Sequence, residues 1–325
     1  MGDDELLRLL IEANKGLGVN EVGDDGVTLL FRTAQLGQEA FVSAILKAGA
    51  EVDSGSDFGW TPLLAAVHQG HLAVVATLLK AGAAVDKPQA DRAQCTPLIV
   101  AVTGGHAAVV TALLGAGAEA NRSLGGRMTP LIEAVKLDNV AVVGALLREG
   151  ADVDRAMGLG ITPLISAVVA RNDRMVATLI HAGAQVDKTA DDGSWPLFCA
   201  AEFGFLSTVT ALLEGGAQVA KMMEGHQRDC PPGSRMCPGT TPLSIARQRG
   251  HQAVVTLLSA WMPVGAEKQC AYCKVSAQDG NKLKQCTGCH QAWFCNRTCQ
   301  AAGWKDHRVW CREHGRQPPG GSSTA

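Results

Sequence analysis

Large aromatic side chains are scarce in this chain. Phe, Trp and Tyr make up 4% of its 325 residues, with a single tyrosine, although 46% of the residues are hydrophobic. That pairing argues against one large globular core and suits many thin layers of Ala, Leu and Val. Charge of one sign is lacking too: the formal net charge is −2, so bulk charge implies neither a nucleic-acid nor a membrane-surface partner. No apolar run approaches the roughly 18–20 residues of a membrane span. The start, Met1-Gly2-Asp3-Asp4-Glu5, is acidic where a signal peptide is basic, and Leu6 stands where myristoylation needs Ser or Thr. The phosphate-loop sequence ending in Gly-Lys-Ser/Thr, the His-Glu-x-x-His helix and the Gly-x-Ser-x-Gly elbow are all missing. These absences lead to the expectation of a non-enzyme located in the cytoplasm and/or nucleus. On that reading the Asn-x-Ser/Thr sites at Asn121 and Asn296 are coincidental.

What the chain has in abundance is repetition. Thr-Pro-Leu occurs at Thr61, Thr96, Thr129, Thr162 and Thr241, with degenerate copies at Thr28-Leu29-Leu30 and Trp195-Pro196-Leu197. The steps from Thr28 to Trp195 are 33, 35, 33, 33 and 33 residues, and a fixed period of that size marks a stack of identical supersecondary units. One copy shows the script. Thr61 caps a helix and Pro62 occupies its first turn. Ala65 and Ala66 permit close helix approach, and Gly70 supplies the positive φ that ends the helix. Val74, Val75, Leu78 and Leu79 then form the apolar stripe of a second short helix, Gly82 stops it, and Val85-Asp86 leads to the next unit. Such a pair cannot bury its own apolar face, so stacking must stabilise it.

These residues resemble the ankyrin repeat: G-x-T-P-L, A-A, G-H, then V-V-x-x-L-L-x-x-G-A, over roughly residues 1–262. The resemblance implies a mostly α solenoid of helix-turn-helix units joined by hairpins. It gives a capping half-repeat at 1–22, with Leu6–Ala13 as its helix, and about seven units over 23–262. The family usually places His after Thr-Pro-Leu for local hydrogen bonds. Here Leu64, Ile99, Ile132, Ile165, Phe198 and Ser244 stand there, so most units exchange a polar clasp for apolar packing.

Three features depart from the regular script. Hairpin tips carry Asp86-Lys87, Asp154-Arg155 and Asp187-Lys188, with Asn121-Arg122 as a variant, and read as a solvated charged edge. Trp60 reads as packing. Trp195 replaces a capping Thr and, with Phe198, Phe203 and Phe205, makes one unit aromatic, either as a partner patch or as a repacked interface. From Trp195 to Thr241 is 46 residues, thirteen beyond the norm. The excess falls within Met222–Gly239 and reads as a loop, although His226, Cys230 and Cys237 leave a weak metal or redox alternative.

Seven of the eleven cysteines fall within residues 270–311. They form Cys270-x2-Cys273, Cys286-x2-Cys289 and Cys295-x3-Cys299, and His307-x3-Cys311 completes four pairs. Zinc takes four S/N ligands in closed structural sites, so eight ligands make two sites. Without a secretory signal, this cysteine usage argues for metal over disulfides. The segment has too few apolar residues for a core, so metal binding and folding should be one event.

With Phe294-Cys295, Cys299-Gln300 and Trp304-x2-His307-Arg308-x2-Cys311, the spacing resembles the MYND zinc finger. The resemblance implies interleaved sites: Cys270, Cys273, Cys295 and Cys299 on one zinc, and Cys286, Cys289, His307 and Cys311 on the other. Spacing alone leaves sequential pairing open. His290 and His314 are spare. MYND fingers bind short, often proline-containing peptides, and Gln300 and Trp304 match positions associated with the peptide groove. Residues 263–325 carry nine Lys/Arg against four Asp/Glu, but seven thiolates outweigh two Zn²⁺ and remove most of that excess. Nucleic-acid binding is therefore disfavoured. Residues 263–269 read as a linker and 312–325 as a disordered tail. The expectation is a monomeric, non-catalytic adaptor with protein partners. A transcriptional co-regulator or the targeting subunit of a separate enzyme is the alternative.

Overall fold

The repeat begins with a cap. Thr28, Thr61, Thr96, Thr129 and Thr162 hold extended backbone, and each hydroxyl accepts the backbone N–H three residues on, at 3.1 to 3.4 Å. Proline in the first turn of the last four adds a pre-set φ without loss of a hydrogen bond. The computed structural model describes residues 18–56, 59–89, 95–123, 128–222 and 240–262, together with strands at 284–285 and 293–294. Outside them lie Leu6–Ala13, most of Met222–Gly239, the 263–269 linker, the tail, and Gln300 and Trp304.

Contacts divide the chain into two compact units with the boundary between Gln185 and Val186. The first holds helix pairs α1 (Leu29–Gln35) and α2 (Glu39–Lys47), α3 (Pro62–Gln69) and α4 (Leu72–Lys80), α5 (Pro97–Thr103) and α6 (Ala107–Gly115), α7 (Pro130–Lys136) and α8 (Val140–Arg148), and α9 (Pro163–Val169) and α10 (Asp173–His181). First helices stack in the order α1, α3, α5, α7, α9, and second helices in the order α2, α4, α6, α8. The second unit holds α11 (Pro196–Phe203), α12 (Leu206–Glu214), α13 (Pro242–Arg249) and α14 (Gln252–Trp261), with α11 on α13 and α12 on α14. It also contains the antiparallel strands β1 (Lys284–Gln285) and β2 (Trp293–Phe294), in the register Lys284 to Phe294 and Gln285 to Trp293.

Helices of seven to nine residues, such as α3 and α5, are too short to persist alone, so stacking holds them. Leu63, Leu64, Ala66, Val67, Val74, Val75 and Leu78 are completely buried, and each large one contributes about 1.5–3 kcal/mol. Leu64, Ile99, Ile132, Ile165 and Phe198 are all buried, so apolar packing does replace the family's histidine. Ser244 differs: with Thr241 it closes a reciprocal capping box at the start of α13.

Gly70 has φ 76°, and a Cβ there would stand 2.6 Å from the His106 ring of the next pair. That ring reaches the His68 carbonyl through Nε2 at 3.3 Å. Gly37 and His71 repeat the arrangement one pair earlier. Where Asp138 takes the glycine's place at φ 54°, Asn172 takes the histidine's, and its Nδ2 donates to Asp138 Oδ1 at 2.6 Å. The histidine position varies independently, since Gly105 keeps the glycine at φ 73° and faces Asn139.

Candidate functional site

The hairpin edge is built differently from the sequence expectation. Its acidic residues are rungs between repeats. The carboxylate of Asp53 accepts the Ala84 N–H at 3.2 Å, Asp86 that of Glu119 at 3.2 Å, and Asp154 that of Gln185 at 3.0 Å. Asn20 and Asn121 do the same with amide oxygens, toward Glu51 at 2.8 Å and Asp152 at 2.9 Å. Within the second unit, Asp187 accepts from Gln218 at 3.1 Å. A backbone N–H at the turn would otherwise be satisfied only by water, so these Asp and Asn residues fasten one hairpin to the next. Basic neighbours support the same edge: Lys87 Nζ donates to the Asp53 carbonyl at 3.4 Å.

The aromatic unit splits in two. Trp195 and Phe198 are core, with ring centroids 5.2 Å apart, and Lys221 Nζ lies 5.1 Å from the Trp195 ring centre. No side chain caps α11, and Trp195 Nε1 is buried without a hydrogen-bond partner among the described residues. Phe203 and Phe205 stack on each other at 5.5 Å and remain at the surface, Phe203 being exposed and Phe205 half-buried. Trp60 packs edge-on to His68 at 5.5 Å. Periodicity did not separate these roles. The rings at the cap and in the first turn face the stack, whereas those in the turn between paired helices do not.

All eight predicted metal ligands, Cys270, Cys273, Cys286, Cys289, Cys295, Cys299, His307 and Cys311, lie outside the described residues. So do His226, Cys230, Cys237, His290 and His314. What the structure describes in this segment is the β1–β2 ladder, whose strands immediately precede Cys286 and Cys295 in sequence. Seven thiols and one imidazole in closely spaced pairs are the donors that structural zinc selects, so the residues present fit that ion. Among the described residues no other group of His, Cys, Asp or Glu is placed to hold a metal. No described helix is long and apolar enough to cross a membrane.

Comparison with known proteins agrees with this architecture. The family profile described as ankyrin repeats (three copies) matches residues 1–89, 30–124, 86–157 and 164–272, and the MYND finger matches residues 270–311. Among solved structures, the ankyrin repeat domain of Bcl-3, described as a unique member of the IkappaB protein family, is similar at 27% identity and a TM-score of 0.62. That similarity covers 74% of this chain and all of the other. The human ASB11 ankyrin repeat domain is similar at 29% identity and a TM-score of 0.53, over 66% of this chain and 94% of that one. No curated protein matches the chain as a sequence relative. Both module types mediate protein–protein interactions, and the MYND finger is a zinc-binding domain. Because the ankyrin matches span most of its length and the finger match follows, the chain belongs to the ankyrin-repeat family and carries a MYND zinc finger.

Proposed function

We propose that this protein is a non-catalytic adaptor, in which the ankyrin repeats hold one folded protein and the finger takes a short peptide from another. The observation that carries the reading is the presence of two interaction modules in one chain. The finger's ligands are Cys270, Cys273, Cys295 and Cys299 for one zinc, and Cys286, Cys289, His307 and Cys311 for the other. Each set is closed, with no open position for an activated water. Zinc supplies a structural cross-link there, and the side chains around it present the peptide groove, for which Gln300 and Trp304 are the candidates. Proline-containing peptides are the expected class. The protein acts as a monomer in the cytoplasm and/or nucleus, without binding nucleic acid or membrane.

The test compares partners recovered with the intact chain and with a Cys286→Ala/Cys289→Ala form whose helical signal is intact. Loss of one set of partners and retention of another is the adaptor's signature. Loss of none makes the finger a structural end-piece and removes the peptide half of the proposal. Native mass measurement adds a second check: a ternary complex supports the adaptor, and a strict one-partner stoichiometry favours a targeting subunit.

A further inference from the structure

Among the described residues, most of the large apolar side chains left in solvent lie at the connection between paired helices, Val22, Leu159 and Trp261 being the exceptions. In the first unit those at the connection are Leu36, Leu72, Leu137 and Val169. In the second unit they are Phe203 and Leu206, 46% and 43% exposed. Single exposed apolar residues need no explanation. The second unit is different because its apolar residues are close together in sequence and braced from below.

The bracing is specific. Phe203 and Phe205 stack with an interplanar angle of 22°. Glu202, beside Phe203 in sequence, is buried and accepts from Arg249 Nη2 at 2.8 Å, while the Arg249 side chain stays 47% exposed. The His251 ring reaches the Glu202 carbonyl through Nε2 at 2.9 Å and stands against Gly204, where a Cβ would be 2.5 Å from it. Glu202 through Phe205 are thereby fixed against α13 and the start of α14. A guanidinium has several donors in one planar fork. With Nη2 engaged by Glu202, Arg249 is held in place and keeps donors for a second carboxylate. Residues Thr240 to Met262 contain Arg247, Arg249 and His251 and no Asp or Glu, so no acidic residue on these two helices competes for an incoming one.

We propose that Phe203, Phe205, Leu206 and Arg249 form a docking surface for a peptide segment of a partner protein in which a large apolar side chain stands beside Asp or Glu. The apolar side chain packs on the stacked rings and Leu206, and the carboxylate pairs with the pre-positioned Arg249 fork. Aromatic residues and arginine are the types that dominate interface energetics, and holding them rigid before binding lowers the ordering cost. This proposal rests on the adaptor reading and assigns the repeats a client chemistry.

The test is selection of random peptides displayed on phage against the zinc-loaded full chain, followed by anisotropy titration of the selected peptides. The expected winners pair Leu, Met or an aromatic with Asp or Glu. Their binding should fall by roughly tenfold or more in Phe203→Ala, the loss typical of a truncated anchor. It should weaken in Arg249→Lys, which keeps the charge and loses the fork, and hold in Cys286→Ala/Cys289→Ala. Phe203 is exposed, so an unchanged helical signal in Phe203→Ala separates lost docking from lost folding. Winners without carboxylates, or full-strength binding to Phe203→Ala, overturn the surface. Winners that depend only on Cys286 and Cys289 overturn the surface but keep the adaptor; a chain that selects nothing at either site argues against both.

Discussion

At the scale of single residues, Asp154 shows why charge at the hairpin edge misleads. An Asp-Arg pair on a turn has the sequence appearance of a solvated tip, yet Asp154 is buried and accepts the Gln185 N–H at 3.0 Å. Its partner is 31 residues away, so no local pattern reveals it. Asn20 and Asn121 perform the same task, which shows that the acceptor oxygen matters more than the charge. Asp154→Asn is therefore expected to be close to neutral in urea unfolding, whereas Asp154→Ala should cost about 0.5–1.5 kcal/mol, the net range for one intramolecular hydrogen bond. Equal losses for both would instead assign the role to the negative charge. Trp195 is the opposite case, with too little polar pairing: its ring is fully buried and its Nε1 is unpartnered among the described residues. Trp195→Ala should destabilise by about 3–5 kcal/mol through cavity formation. Trp195→Phe should cost much less in the same melts, because it keeps an aromatic ring and removes the orphan N–H.

Elements were the most legible level, for a physical reason. Thr-Pro-Leu encodes a cap, a first turn and a buried anchor within a few residues, all interactions closed inside one helix start, and the structure places the helix starts as read. The same logic makes the caps testable one helix at a time. The Thr129 hydroxyl accepts the Ile132 N–H at 3.2 Å at the start of α7, and Thr129→Ala should lower stability by about 1 kcal/mol in chemical denaturation. No change would mean that stacking alone positions the helix. Interactions between elements were less legible. The pairing of Gly70 with His106, and the Asp138–Asn172 hydrogen bond at the corresponding positions, need the register of neighbouring repeats before they can be seen. The aromatic unit was read as an alternative, partner patch or packing, and the structure divides its rings between core and surface. Trp195 and Phe198 face the stack, while Phe203 and Phe205 lie on the connection that leaves it.

At the scale of the whole molecule, two kinds of physics stabilise two kinds of module, and they should respond to different perturbations. The helix pairs bury continuous layers such as Leu63, Val74 and Leu78, a stabilisation that needs no ion. The 270–311 segment has its candidate donors in four pairs and few apolar residues, so its folding is expected to be coupled to metal binding. The candidate zinc ligands are read from spacing, because ligand chemistry demands paired donors in tight turns, and they lie outside the described residues; what spacing cannot determine is which pairs share an ion. An excess of a zinc chelator should thus release two zinc ions per chain and abolish peptide capture by the finger. It should leave the far-UV helical signal and the urea midpoint of the helix pairs where they were. Cys286→Ala/Cys289→Ala should reproduce this on one of the two sites, with about half the zinc retained if the sites fold independently and less if they are interleaved and cooperative. A drop in helical signal that tracks zinc release would show that the finger stabilises the repeats as well as extending them. In that case, loss of a partner on chelation could no longer be assigned to the finger's own groove.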